Sequence, residues 1–390
     1  MVTLHAHSGL TGAHLARLPA ASVSWSDSIN EPGSLTATLP ATVDAGRYLR
    51  AYGTVLAAIE DGRVLHAGYV THAKMSGGLW SVDCGGGSTV LEKRLVLNHA
   101  LASSWKDGYV LIDEDHPSGN WPLALKGSYS DIVSKLISET LKWGALPIVP
   151  AALTGGSHER TYNSYDLATV LSRVSDIGDL EDGPEIRFDP VIGSDGSLKF
   201  HQRTSDEIRD NWWKWNAVVP LSPVEVGDED CDGGDMCTQC FASGGKDEDK
   251  LLVARASSGE LTAAGWPVLQ MADTSHSSVS ELPTLKSYAS AAVVAGDEPQ
   301  RTRGLKVRRD VPVRVGDWAD VRTGEGLLEL KVTDVSGSAG SPMLTVQCRP
   351  RRGRRGEVQA RDGKRRRRDT AQGGAHGRRR GLGLLALQAL

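Results

Sequence analysis

Uninterrupted apolar runs are what this 390-residue sequence most plainly lacks. The most hydrophobic stretch, Leu382–Leu390, is far short of the ~20 residues a membrane-spanning helix needs, so no membrane span is expected. The opening residues, Met1-Val-Thr-Leu-His-Ala-His7, have neither the basic start nor the apolar centre of a secretory signal, and export by that route is not expected. Cysteine is scarce and odd in number. Cys84, Cys231, Cys237, Cys240 and Cys348 are spaced too unevenly for a secreted disulfide framework, which predicts reduced synthesis in a cytoplasm.

The local signatures of common catalysts are missing too. There is no Gly-x-Ser-x-Gly elbow, and His5, His7, His66, His72, His99 and His116 show no helical pairing of the metalloprotease kind. Gly85-Gly86-Gly87-Ser88-Thr89 follows a strand pattern but lacks the lysine and the spacing of a phosphate-binding loop, so it reads as a strand-end turn. No enzymatic activity is expected, although catalytic triads assemble in space and a missing local motif only lowers that expectation.

What is present is an ordinary globular composition, 39% hydrophobic and 24% charged, with room for more than one domain. The net charge of −4 hides an asymmetry: residues 351–390 carry 13 of the 44 Lys and Arg and 3 of the 48 Asp and Glu. The tail is therefore strongly basic and the body acidic, which argues against a nucleic-acid groove in the folded part. The Arg-rich tail lacks periodic apolar residues and is expected to be disordered. It fits non-specific nucleic-acid contact through phosphate counterion release, with plain solvated disorder as an equal reading.

Alternation around Val23, Trp25, Leu35, Ala37 and Leu39, broken by Glu31-Pro32-Gly33, predicts a hairpin. Val55–Ile59, Val64–Val70 and Leu79–Val82 continue the series, with Asp61-Gly62 as a tight turn and Ser76-Gly77-Gly78 as the next loop. The period then changes. Ser130 is the expected cap of a helix that places Ile132, Val133, Leu136, Ile137 and Leu141 on one face and ends at Gly144. A second helix is expected over Asp166–Ile177, with Leu167, Val170, Leu171 and Val174 inward, and then a hairpin through Gly193-Ser-Asp-Gly196.

Residues 204–250 read as a long irregular segment, followed by an extended stretch at Leu251–Ala256 and a helix opened by Pro283. The last strands are expected at Leu305–Arg308, Val313–Val315, Trp318–Val321, Leu327–Val335 and Met343–Gln347. The reading is an α+β, mainly β protein: two small antiparallel β-barrel domains, an intervening helix-helix-hairpin unit and a disordered basic C-terminal tail. The expected borders are 1–125, 126–250, 251–350 and 351–390.

Four clusters carry candidate chemistry. Asp228, Asp230 and Asp232 alternate, with Gly233 at the sixth position, as in a calcium loop, but Gln239 stands where a bidentate Glu belongs; a solvated acidic loop is the main alternative. Cys231, Cys237 and Cys240 offer three thiolates without the second pair a structural zinc uses. Asp113, Glu114 and Asp115, beside His116 and Pro117, are carboxylates of the type glycosidases pair, with a surface loop as the default. Trp105, Trp121, Trp143, Trp212, Trp213 and Trp215 suit a sugar groove, a subunit interface or plain packing. None is assigned as a catalytic, cofactor or metal site.

The order of motifs carries a resemblance. Val64-Leu-His-Ala-Gly68-Tyr-Val70, Leu79-Trp-Ser-Val82, Gly85 and Leu91-Glu-Lys-Arg94 resemble the first-barrel pattern of siphophage minor tail proteins of the tail-hub, or baseplate-hub, type. Leu167–Ile177 with Ile186–Phe188 and Leu198–Phe200, then Phe241-Ala-Ser-Gly244-Gly245-Lys246, and Val313-Arg-Val-Gly316-Asp-Trp-Ala-Asp-Val321 are similar to the family's helix and hairpin, strand-Gly loop and final barrel. The resemblance spans roughly residues 1–350 and implies a structural virion protein. It implies a trimeric ring that joins the tail tube and other tail proteins to the tip or fibres and lines the DNA exit path. Such a protein is made in the host cytoplasm and resides in the virion tail. The alternative from another class is a tail-tip protein that binds or hydrolyses cell-wall glycan.

Overall fold

The computed structural model describes residues 1–106, 109–110, 121–180, 183–247, 250–276, 279 and 281–351. The carboxylate loop at Asp113–Asp115 and the basic tail beyond Arg351 lie outside the described residues. The chain forms two compact units. One joins Met1–Cys231 to Arg301–Arg351, and the other is the intervening Asp232–Gln300.

In chain order the first unit holds β1 (Thr3–Ser8), β2 (His14–Leu18), β3 (Ser22–Ser28), β4 (Ser34–Pro40), α1 (Ala45–Tyr48), β5 (Thr54–Glu60), β6 (Arg63–Ser76) and β7 (Leu79–Gly86). The short pair β8 (Trp105–Lys106) and β9 (Tyr109–Val110) follows, then β10 (Pro122–Gly127), α2 (Tyr129–Lys142), β11 (Ile148–Val149), β12 (His158–Asn163) and α3 (Val170–Gly178). After these come β13 (Glu185–Ile192), β14 (Leu198–Ser205), β15 (Trp212–Asn216) and β16 (Val224–Asp232). The second unit contains β17 (Gln239–Asp247), β18 (Lys250–Ser257), α4 (Glu260–Ala263), β19 (Gln270–Asp273) and α5 (Leu282–Ala295). The chain returns through β20 (Gln300–Arg308) to β21 (Trp318–Arg322), β22 (Leu327–Ser338) and β23 (Met343–Pro350).

Strand outweighs helix, as an α+β, mainly β reading requires. The strands expected to build two barrels belong to one 13-stranded sheet, in the order β16-β20-β23-β22-β3-β4-β7-β6-β5-β1-β2, with β21 on β22 and β15 on β21. The joint is β22. Its first half pairs with β21 and its second half with β3, Asp334 standing opposite Ser28 and Ser338 opposite Ser24. The Ser28 hydroxyl donates to the Asp334 carboxylate across that seam. No pairing among the described residues closes this sheet into a barrel.

Local chemistry explains much of this. Asp61 and Gly62 at φ 50° and 80°, and Gly77 and Gly78 at 59° and 78°, give the two-residue turns whose twist suits hairpins. On β5, Val55, Leu56, Ala57 and Ala58 are all fully buried, because this strand has a core on each face. Leu56 and Ala58 pack with Leu4, Trp25 and Val82, whereas Val55 and Ala57 face Tyr69, Leu136, Ile137 and Phe200 beneath α2, α3 and the β13–β14 hairpin.

Four expectations are corrected. The cap of α2 is Ser128, whose hydroxyl accepts from Asp131 N, rather than Ser130. The second helix begins only at Val170 with Thr169 as its cap; Leu167 is exposed and left-handed at φ 49°, so the expected inward Leu lies outside the helix. The irregular segment after residue 204 contains β15, β16 and β17, and Val313 and Val315 are buried but lie outside any strand.

Candidate interaction sites and the buried charge lattice

The acidic alternation at Asp228, Asp230 and Asp232 lies on β16, an exposed extended strand. Residues two apart on a strand are separated by about 7 Å of backbone, so this geometry spreads the carboxylates instead of folding them around an ion. Gly233 and Gly234 form a turn only after them, where Asp232 Oδ1 accepts from Gly234 N at 2.8 Å. The thiols part company as well. Cys231 is exposed, while Cys237 and Cys240 are buried in the second unit with Leu285, Ala289 and Val293, and Cys237 Sγ donates to the Ala292 carbonyl at 3.4 Å. Among the described residues no group of three or more His, Cys, Asp or Glu is placed to hold a metal ion.

The glycine run is a packing device. A Cβ on Gly86 would stand 1.6 Å from the Pro32 carbonyl oxygen, and one on Gly87 would stand 2.3 Å from the Phe200 ring. Of the candidate tryptophans, Trp143, Trp212, Trp213 and Trp215 are engaged. Trp143 Nε1 donates to the Leu97 carbonyl at 3.2 Å, Trp213 stacks on Trp215 at 5.7 Å, and Trp213 Nε1 donates to Asp317 Oδ2 at 2.8 Å. Trp212, half exposed, meets Trp318 edge-on at 5.3 Å, and the Arg351 guanidinium lies over both rings.

The chemically dense region that sequence reading did not single out joins β13, the 205–211 segment and the 313–331 strands, all within the first unit. Arg187, 8% exposed, donates to Asp189 Oδ1 and Oδ2 at 2.6 and 2.9 Å, to Asp210 Oδ2 at 2.5 Å and to the Val315 carbonyl at 2.6 Å. Burial opposes its charge, but Asp189 and then Asp210 more than restore it. Arg203 shares Asp210 at 2.6 Å, and Asp210 is held below the ordinary carboxylate range: burial pushes upward, and Arg187, then Arg203, outweigh it.

Beside this lattice, Lys331 bridges Glu185 and Glu207 at 2.5 and 3.1 Å, and Trp318 Nε1 donates to Glu207 Oε1 at 2.6 Å. Burial raises Glu185, with Lys331 pulling the other way. Asp317 is fully buried and accepts from Arg314 N at 3.0 Å, Asn211 N at 3.1 Å and Trp213 Nε1; burial nonetheless raises it. A raised carboxylate is what a glycosidase acid needs, but these oxygens are saturated by fixed donors. The cavity lined by Trp25, Asp27, Arg63, Arg187 and Arg314 is about 70 Å³, against ~300–1,000 Å³ for a small-molecule pocket. The arrangement locks strands together.

No protein-family model matches the chain, and no curated protein matches it. Among solved structures it is similar to a tail protein from Neisseria meningitidis MC58, at 13% identity and a TM-score of 0.51, with 90% of this chain and 96% of that one covered. It is likewise similar to the 43 kDa tail protein of prophage MuSo2 from Shewanella oneidensis, at 11% identity and a TM-score of 0.52, with 92% and 100% covered. The fold is thus shared with these two proteins over nearly their whole lengths.

Proposed function

We propose that this chain is a structural component of a long-tailed phage virion, the distal tail hub that connects the tail tube to the tip or fibres and lines the DNA exit path. One observation carries the reading: the likeness to two tail proteins covers 90–92% of this chain and 96–100% of theirs. A whole-length match favours a shared architectural role over a borrowed module. The burial of charge in locking contacts supports a non-enzymatic role, since Arg187, Lys331 and Asp317 spend their hydrogen bonds holding segments of the first unit together.

In this role the chain assembles as a homo-oligomer, a closed trimeric ring whose faces meet other tail proteins. It is made in the host cytoplasm and resides in the virion tail, and the basic tail beyond Arg351 supplies non-specific contact with nucleic acid. Light scattering on the full chain, followed by negative-stain imaging, tests this. Three times the chain mass and a ring with a central opening are expected. A stable monomer that binds or cleaves host cell-wall glycan would overturn it.

A further inference from the structure

The β1–β2 hairpin gathers three histidines on one face. His5 and His7 alternate on β1, so both point away from Leu4 and Ala6, which enter the core on the other face. A register shift after Ala6 sets His14 of β2 opposite His7. The rings converge, with centroids 5.3 Å apart for His5 and His14 and 5.2 Å for His7 and His14.

Hydrogen bonds fix two of the tautomers. The single proton of the Thr3 hydroxyl goes to the Ile59 carbonyl at 3.2 Å, so Thr3 Oγ1 accepts from His5 Nε2 at 3.1 Å. His5 Nδ1 therefore presents a bare lone pair, 3.1 Å from His14 Nε2. His7 Nδ1 donates to the Gly12 carbonyl at 3.0 Å, which leaves its buried Nε2 a lone pair without a hydrogen-bond partner. Tying off one ring nitrogen to orient the other is how proteins prepare histidine ligands.

We propose that the β1–β2 hairpin binds one borderline divalent cation of the Zn²⁺, Ni²⁺ or Cu²⁺ class, with His5 Nδ1 and His14 Nε2 as its two protein ligands and water completing the shell. An ion at the usual 2.0–2.1 Å from nitrogens 3.1 Å apart sees them at about 100°, between square-planar and tetrahedral angles. Imidazole pairs favour Cu²⁺ over Ni²⁺ and Zn²⁺, and Mg²⁺ and Ca²⁺, which want oxygen, are refused. The ion would staple β2, the edge strand of the large sheet, to β1.

The test is calorimetric titration of the full chain at neutral pH with Ni²⁺ and then Cu²⁺, with electron paramagnetic resonance on the copper form. One equivalent showing imidazole nitrogen coupling is expected. His14→Gln, a change at an exposed residue that leaves packing intact, should weaken binding at least about tenfold, as should His5→Gln. Thr3→Val, which keeps both ligands but frees the tautomer, should cost about 10- to 100-fold. His72→Gln, at an exposed position on β6, should leave binding unchanged. Binding that survives His14→Gln, or a copper spectrum without imidazole coupling, would place the ion elsewhere, for instance on the exposed Cys231, and overturn the proposal. No binding at all would show the pair to be a plain hydrogen bond from His14 to His5.

Discussion

Arg187→Met removes the guanidinium that ties β13 to Asp210 and to the Val315 carbonyl 128 residues away, while keeping most of the side-chain stem. The loss strands two carboxylates and a buried carbonyl. Breaking a buried ion pair from one side costs about 3–5 kcal/mol. At ~2–4 °C per kcal/mol for a unit of this size, the melting temperature should fall by about 6–20 °C. Urea unfolding followed by tryptophan fluorescence measures this directly, because Trp213 and Trp215 sit beside the lattice, and the m-value should not change. The pH profile adds a second handle. Asp210 is depressed in the folded state, so its contribution is present above the unfolded value of about 3.9 and is lost as pH falls through the lower folded value. The gap between wild type and Arg187→Met should be full at pH 5–7 and should close below about pH 4. A variant within about 1 kcal/mol of wild type at pH 7 would refute the claim that this lattice holds the unit together.

Gly86→Ala puts a methyl 1.6 Å from the Pro32 carbonyl, so β7 must shift against β4; a loss of about 3 kcal/mol or more, or insoluble expression, is expected in thermal melts. Ser128→Ala removes the α2 cap and should cost about 1 kcal/mol, whereas Ser130→Ala should cost clearly less. Asp317 is raised in the folded state, chiefly by burial, so its contribution is complete below the unfolded value and is lost as pH rises through the folded one. The stability of Asp317→Asn relative to wild type should therefore improve between about pH 3 and 7, and a flat difference in urea titrations would contradict that assignment.

The local elements were legible where chemistry acts over short range. Asp61-Gly62 announces a hairpin turn, and Ile132, Val133, Leu136 and Ile137 announce α2, because both signals are complete within a few residues. β15 and β16 were not legible. Trp212–Asn216 has no alternation, and β16 is exposed and acidic along most of its length, so neither shows the half-buried period of an ordinary strand. The single sheet was invisible for a different reason: β22 meets β3 some 300 residues earlier, and no local pattern specifies that partner. The same holds for the charge lattice, where Arg187 finds Val315 only after folding. The fold is shared with two tail proteins at only 11–13% identity, so the likeness lies in the arrangement of the strands and little of it in the residues themselves.

β16 and β20 are neighbours in the large sheet, with Arg308 N on the Pro223 carbonyl at one end and Arg303 Nη2 on Glu229 further along, so the two strands run in opposite directions. To that sheet, everything between them is an oversized hairpin turn. The host scaffold asks only that its two stems emerge side by side, which a loop of a few residues satisfies as well as a folded insert with its own core. Residues 233–299 therefore leave and re-enter the sheet through two neighbouring strands, the kind of exit at which chains most readily accept an inserted domain.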